Sequence, residues 1–210
     1  MQMNNLAQFG IIPVEYSNLT AELDNYKSVK DKISSLEKNG EIIRLKKGLY
    51  VISPKISHQP IPRELVANHL YGPSYVSLET ALSFYGLIPE RVHIVRSMTI
   101  KRSKSFETPL GNYEYITTDK NYYEIGIKQE IVNNQYAFLI ASPEKALCDM
   151  IITTPRLRIQ SVKAMQTYLE EDLRIDFSSI ESLNTDIIRQ CLETGKKKTE
   201  LTQLYKLLTR

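Results

Sequence analysis

The chain has 210 residues and 42% of them are apolar, which is enough for one large or two small domains with hydrophobic cores. Its 27 basic and 24 acidic residues give a net charge of +3, so a nucleic-acid signal must come from where the charges lie. The apolar content is too high for a disordered chain. No apolar run approaches the length of about 18 residues that a membrane-spanning helix needs.

The sequence also argues against a secreted protein. Its first residues lack the basic leader and apolar core of a signal peptide. The two cysteines, Cys148 and Cys191, lie in helical patterns without a neighbouring Cys or His, which argues against a disulfide or metal framework. We therefore expect a cytoplasmic protein that has no contact with a membrane.

The first 53 residues carry the pattern of three short helices followed by a β-hairpin. The candidate helices are "NNLAQFG", "YSNLTAELD" and "SVKDKISSLEKNG", with Ser17 and Ser28 as candidate N-caps. In "EIIRLKKGLYVIS", residues 41–53, two β-branched runs surround Lys46, Lys47 and Gly48, which is typical of a tight hairpin. Three helices followed by a two-stranded ribbon predict a winged helix-turn-helix.

The third candidate helix has one apolar and one polar face. Val29, Ile33 and Leu36 recur with helical spacing and predict a buried stripe. Small and charged side chains opposite this stripe would enter the major groove: Ser28, Lys30, Asp31, Ser34 and Ser35. Arg44, Lys46 and Lys47 of the hairpin would hold phosphates. A solvated helix face and an ordinary surface hairpin remain the alternative interpretation.

A proline-rich segment, "SPKISHQPIP", follows the hairpin. Proline forces extended backbone at and before its own position, so this segment is the best candidate for a linker. We place the boundary near residue 57, which predicts a DNA-binding domain at residues 1–56 and a second domain at residues 57–210.

The second domain shows helices at both ends and strands in the middle. The helices "PRELVANHLYG" and "SLETALSFYGL" open it, and Ser77 is the candidate cap of the second. Residues 92–138 predict four or five antiparallel strands, including "YYEIGIK". Helices return at "SPEKALCDMIIT", "RIQSVKAMQTYLEEDL", "NTDIIRQCLETG" and "KKKTELTQLYKLLTR". The fold class is therefore α+β, with an antiparallel sheet and several helices after the winged helix.

No motif of a known catalytic site is present. The sequence lacks a Gly-rich phosphate loop, HExxH, GxSxG and a paired Asp-x-Asp, and its histidines His58, His69 and His93 are isolated. Asp149, in an apolar helical stretch, is either a functional carboxylate or a structural ion pair or cap. We predict no catalytic residue, no cofactor and no metal site.

A second candidate basic patch lies in "RVHIVRSMTIKRSKSF", which contains no acid. Arg91, Lys101, Arg102 and Lys104 could extend a nucleic-acid footprint, although a solvated turn explains them equally well. Arg96 falls on the face of its strand that alternation assigns to the core. Either a bulge turns Arg96 outward, or a buried acid pairs with it.

The order of "RLKKGLYVI", "YVSLETALSFYGLIPE", the strand series and "SPEKALCDMI" resembles the AbiEi antitoxins of type IV toxin-antitoxin systems, which began as phage abortive-infection loci. The resemblance spans about residue 5 to at least residue 170, and its most specific blocks are residues 75–90 and 142–151. The residues beyond 175 match no motif of the family, and no antitoxic residue can be assigned.

The resemblance implies an antitoxin and transcriptional autorepressor. Its winged helix would bind the double-stranded DNA of its own promoter, and its C-terminal domain would counter a nucleotidyltransferase toxin without forming a stable complex with it. The oligomeric state stays open between a monomer and cooperative binding on repeats. Two rivals remain: a nucleotide-handling enzyme, which needs convergent acids among Asp119, Asp149, Asp172 and Asp176, and a winged helix that binds protein.

Overall fold

A computed structural model describes residues 6–209 of the chain, which enclose two hydrophobic cores. The smaller core is formed by the N-terminal elements, and the larger by the rest of the chain together with Leu45, Leu49 and Val51 of the N-terminal hairpin. No helix in this described part is long and apolar enough to cross a membrane.

The N-terminal elements form a small three-stranded sheet with helices on one face. In chain order they are a 3-10 helix (Leu6–Phe9), β1 (Val14–Glu15), α1 (Tyr16–Glu22), α2 (Val29–Lys38), β2 (Ile42–Lys46), β3 (Leu49–Ile52) and α3 (Pro54–Ser57). The sheet has the order β1-β3-β2, with both pairs antiparallel. The second and third predicted helices are confirmed. Of the first, only a 3-10 turn is described, and residues 4 and 5 lie outside the described part.

Strand β3 is buried on both faces, which explains its continuous apolar sequence, whereas β2 exposes Arg44. Ile42 and Ile52 pair across the hairpin and lie in the smaller core, whereas Leu45 and Val51 lie in the larger core. Gly48 has φ +81° and closes the turn, as the sequence predicts. The hairpin therefore joins the two cores.

The larger sheet has six strands and is mixed. After α4 (Arg63–Leu70) the chain forms β4 (Ser74–Val76), α5 (Leu78–Phe84), β5 (Ile94–Thr99), β6 (Lys104–Thr108), β7 (Gly111–Thr117), α6 (Lys120–Tyr123), β8 (Ile127–Val132) and β9 (Tyr136–Ala141). Its order is β6-β7-β5-β4-β9-β8. The α+β class is confirmed, and the β4–β5, β6–β7 and β8–β9 pairs are antiparallel as predicted. The sheet is not purely antiparallel, because β5 pairs with β7 and β4 with β9 in parallel.

Two elements near this sheet also differ from the sequence prediction: β4 was not predicted as a strand, and α6 was predicted as part of one. β4 has only three residues, all buried, and is too short to show an alternating pattern. The predicted strand "YYEIGIK" divides into the helical turn α6, which buries the Tyr122 ring, and the start of β8. Gly126, with φ +62°, lies between α6 and β8.

The C-terminal helices are α7 (Pro143–Thr153), α8 (Val162–Thr167), α9 (Thr185–Thr194) and α10 (Lys198–Leu208). The Ser142 hydroxyl accepts a bond from the Lys145 N–H, so the predicted start of α7 is confirmed. The helix predicted at residues 158–173 begins later, at Val162, where the Ser161 hydroxyl accepts a bond from the Ala164 N–H. It ends in a π-helical turn, Tyr168–Asp172.

The proline-rich segment contains α3 instead of being extended throughout. Ser53 caps this helical turn, and Ile56 packs against the smaller core. Because Leu45 and Val51 contribute to the larger core, contacts cross the expected boundary near residue 57. The division into residues 1–56 and 57–210 stays a prediction.

Candidate nucleic-acid interface

A groove of about 470 Å³ lies between α2 and the β2–β3 hairpin. Of the predicted DNA-binding residues, it brings together Lys30 and Ser34 of α2 with Arg44 and Lys47 of the hairpin. The other lining residues are Tyr16, Ile33, Glu37, Gly48 and Tyr50. Three cations and one carboxylate thus face a single cleft, which favours an anionic ligand.

Helical periodicity orients α2 in this groove. Ile33 and Leu36 are buried against the smaller core and fix the rotation of the helix. Lys30, Ser34 and Glu37 are spaced by four and three residues, so they line up along the side that faces the hairpin.

The other residues predicted on this helix do not line the groove. Ser28, Asp31 and Ser35 are exposed on α2. Ser28 is the N-cap residue of α2, but its hydroxyl makes no capping hydrogen bond. All three side chains are accessible to a ligand that covers the outer face of α2.

Lys46 points away from the groove, although it is adjacent to Lys47. The pairing register of β2 with β3 shifts between Arg44 and Lys46. The Lys46 ammonium donates a hydrogen bond to the Leu70 carbonyl at the end of α4, over 2.5 Å. Partial burial lowers the pKa of Lys46, and the neighbouring charges of Lys104 and Lys101 lower it further. The structure therefore groups Lys46 with the second basic patch.

Three members of that patch lie close together on the sheet. Lys101, Arg102 and Lys104 are exposed, and the Tyr71 hydroxyl donates to the Arg102 carbonyl over 3.2 Å. The Lys104 ammonium lies 4.8 Å from the centre of the Phe106 ring. Arg91 is separate from these residues.

Arg91 lines a cavity of about 420 Å³ that is bordered by α5, β5 and α7. Arg96 lines the same cavity and donates to Glu79 over 2.9 Å and to Glu114 over 3.0 Å. The interpretation with an acidic partner is therefore confirmed for Arg96, but the side chains of both acids are about one third exposed instead of buried. The two carboxylates offset the positive charge of Arg96.

The two blocks of sequence at residues 75–90 and 142–151 meet in a buried polar cluster. Asp149 accepts hydrogen bonds from the Ser77 hydroxyl over 2.6 Å and from the Tyr75 hydroxyl over 3.1 Å. The Lys145 ammonium lies 3.5 Å from the other Asp149 oxygen and donates to the Tyr122 carbonyl over 2.7 Å. Both side chains of this ion pair are fully buried.

Asp149 thus forms an ion pair with Lys145, which agrees with the structural interpretation of this residue in the sequence. Burial raises its pKa above the ordinary value of an aspartate, although Lys145 and the hydroxyl donors oppose that shift. Ser77 directs its hydroxyl to Asp149 and not to a capping bond on α5. The sequence signal for the pair is the four-residue spacing of Lys145 and Asp149 on α7, which was not part of the prediction.

The cysteines Cys148 and Cys191 are both buried and free, and burial raises the pKa of the Cys148 thiol. Across residues 6–209, the structure contains no group of three or more His, Cys, Asp or Glu side chains arranged to hold a metal ion. Of the acids that an enzyme would need, Asp149 is paired with Lys145, and Asp119 lies 3.4 Å from Lys196 at the surface.

No protein-family model matches the sequence, and no curated protein matches it significantly.

Proposed function

We propose that the N-terminal elements form a winged helix that binds double-stranded DNA, with α2 as the recognition helix and the β2–β3 hairpin as the wing. The observation that carries this proposal is the groove, where Lys30 and Ser34 of the helix face Arg44 and Lys47 of the hairpin. The order of helix, helix and antiparallel ribbon also supports it.

The charges in the groove favour phosphate contacts. Arg44 and Lys47 are exposed, and no carboxylate among residues 6–209 forms an ion pair with either side chain. Cations without an acidic partner attract polyanions at little cost in broken contacts. Ser34, with its short side chain, lets the helix approach base edges closely.

The resemblance to the AbiEi antitoxins extends the proposal to the biological role. The protein would be the cytoplasmic antitoxin and autorepressor of a type IV toxin-antitoxin operon, without catalytic activity of its own. Its second domain would counter a nucleotidyltransferase toxin without stably binding it. The buried link between residues 75–90 and 142–151 gives these two blocks a structural role in that domain.

Binding to the DNA immediately upstream of the protein's own coding sequence tests the first part. Arg44→Ala and Lys47→Ala should each weaken binding to all duplexes alike and lower the slope of log affinity against log salt by about 0.9. Ser34→Ala should instead change the preference among duplex sequences, by about 1 to 3 kcal/mol if the hydroxyl contacts a base.

The matched control for the charge variants is Lys206→Ala, which removes an exposed lysine from α10. Affinity and salt slope should stay close to those of the unaltered protein. If Arg44→Ala and Lys47→Ala behave like this control, the groove is not the DNA-binding site. If no duplex competes better than unrelated DNA, the protein is not a sequence-specific repressor.

The toxin pairing needs a separate test. A nucleotidyltransferase gene adjacent to this gene should arrest growth when expressed alone, and co-expression of this protein should restore growth. The two proteins should not copurify. Failure to restore growth would contradict the antitoxin role, whereas a stable complex would contradict the proposed mode of action.

A further inference from the structure

Strand β8 is an open edge of the larger sheet. It ends the strand order β6-β7-β5-β4-β9-β8, and within residues 6–209 its only partner strand is β9. The strand at the opposite edge, β6, is contacted by β2 of the hairpin. An unpaired edge presents a row of main-chain donors and acceptors, to which a strand of another chain can be added.

The main-chain groups of alternate β8 residues point out of the sheet. The Ser142 N–H donates to the Gly126 carbonyl over 2.7 Å, so the main-chain groups of Gly126 face β9. The Leu139 N–H of β9 points away from β8 and bonds to the Asn68 side chain. Because these groups alternate in direction along an antiparallel strand, the outward ones belong to Ile127, Gln129 and Ile131.

The same edge exposes apolar side chains. Ile131 is 60% exposed, more than any other large apolar residue within residues 6–209. Leu139 of β9 is 39% exposed and lies diagonally opposite Ile131 on the same face. Ile127 shares that face, because side chains alternate between the two faces of a strand. A second strand on this edge would cover part of the exposed apolar surface.

The other face of β8 carries one charge of each sign. Lys128 is exposed, Glu130 is half-buried, and neither forms an ion pair with any of residues 6–209. A lone lysine on an edge strand opposes the addition of another strand. A glutamate two residues away changes this, because an antiparallel copy of β8 can place its own glutamate opposite that lysine.

Only one register of two β8 strands pairs these charges favourably. Residues with outward main-chain groups must face each other, so the two-fold axis passes through a residue of the strand. An axis at Lys128 places two lysines opposite each other, and an axis at Glu130 places two glutamates opposite each other. An axis at Gln129 instead places Lys128 opposite Glu130 of the second copy, and Ile127 opposite Ile131. Axes nearer the strand ends pair fewer residues. Opposite charges directly across a pair of strands stabilise it, and like charges destabilise it.

We infer that two copies of this chain dimerise through β8, antiparallel about a two-fold axis at Gln129, so that their larger sheets become one continuous sheet. The residues with outward groups would exchange about six main-chain hydrogen bonds. Lys128 and Glu130 would meet at the closely spaced positions between these bonds. Such an interface is small, so we expect a dissociation constant in the micromolar range. The inference goes beyond the proposed function and does not depend on DNA binding.

Charge reversal on the full chain tests the register. Sedimentation equilibrium should show a mass that rises with protein concentration from 24.2 kDa towards twice that value. Lys128→Glu places like charges opposite each other, and so does Glu130→Lys, so each variant should dimerise at least about tenfold more weakly. An equimolar mixture of these two variants restores both favourable pairs and should dimerise like the unaltered protein. The double variant Lys128→Glu/Glu130→Lys should do the same.

Gln129→Pro tests the main-chain bonds. The Gln129 N–H points outward, so proline removes a bond to the second copy and none to β9. Circular dichroism should show an unchanged fold, and sedimentation should show a monomer. The control Lys206→Glu makes the same charge change as Lys128→Glu at an exposed site on α10, and it should dimerise like the unaltered protein.

Three results would overturn the inference. The first is an unaltered protein that stays monomeric up to its solubility limit. The second is a dimer that Lys128→Glu and Glu130→Lys weaken no more than the control does, since that dimer would use another surface. The third is an equimolar mixture of the two variants that stays monomeric, because the copies would then not pair in this register. If Gln129→Pro fails to fold, the charge variants decide alone.

Discussion

Replacement of Asp149 by alanine removes the only carboxylate paired with Lys145 in the described part of the chain. The Lys145 ammonium, fully buried, would keep only the Tyr122 carbonyl as a hydrogen-bond partner, and the hydroxyls of Tyr75 and Ser77 would lose their acceptor. Breaking a buried ion pair from one side costs about 3–5 kcal/mol. For a chain of this size, such a loss lowers the thermal midpoint by about 6–20 °C.

A double-mutant cycle measures the coupling of the pair. Lys145→Met/Asp149→Asn removes the ammonium and retains an amide oxygen that accepts from Tyr75 and Ser77, so the double variant should recover much of the stability lost in Asp149→Asn. Urea unfolding followed by circular dichroism gives each free energy. The control Asp119→Asn alters an exposed pair and should cost less than about 1 kcal/mol.

Two results would refute the reasoning. One is a loss of less than about 1 kcal/mol for Asp149→Ala, which would mean that water or a rearranged side chain replaces the carboxylate. The other is strict additivity of the two single changes in the cycle, which would mean that Lys145 and Asp149 do not stabilise each other.

Three further predictions concern stability. Burial raises the pKa of Asp149 in the folded state, so the contribution of Asp149 to the unfolding free energy should fall as the pH rises from the pKa of an unfolded aspartate, about 4, through the pKa in the folded protein. Urea titrations at several pH values should show this slope in the unaltered protein and not in Asp149→Asn. Gly126→Ala should lower the unfolding free energy by about 1–3 kcal/mol, because the added Cβ would lie 2.9 Å from side-chain atoms of α7 and α9 and the φ of +62° favours glycine. An unchanged urea midpoint would contradict this packing. Arg96→Ala should cost no more than about 2 kcal/mol, because both of its ion pairs are partly exposed; a larger loss in the same assay would show that these pairs are stronger than surface pairs.

Much of the structure of the N-terminal elements could be predicted from local sequence. The stripe of Ile33 and Leu36 predicted the buried face of α2, and Gly48 predicted the hairpin turn. Such features depend on residues within one or two turns of each other, so composition and spacing are sufficient to find them. The mixed order of the larger sheet was not predictable in this way, because its parallel pairs join strands that do not follow each other in the chain.

The grouping of the predicted DNA-binding residues could likewise be predicted only in part. Their types and approximate positions were evident, and Lys30, Ser34, Arg44 and Lys47 do share one groove. The separation of Lys46 from Lys47 was not evident, since it depends on a register shift in β2 and on a carbonyl of α4.

By itself, the sequence determined most of the helices, the β2–β3 hairpin, the α+β class and the presence of two basic regions, because hydrophobic periodicity, turn residues and charge are properties of short segments. Only the tertiary structure decided that Lys46 joins Lys101 and Lys104. It also decided that Asp149 pairs with Lys145 beneath Tyr75 and Ser77. Long-range packing brings these groups together, and the cost of burying charge or crowding like charges depends on the neighbours that packing supplies.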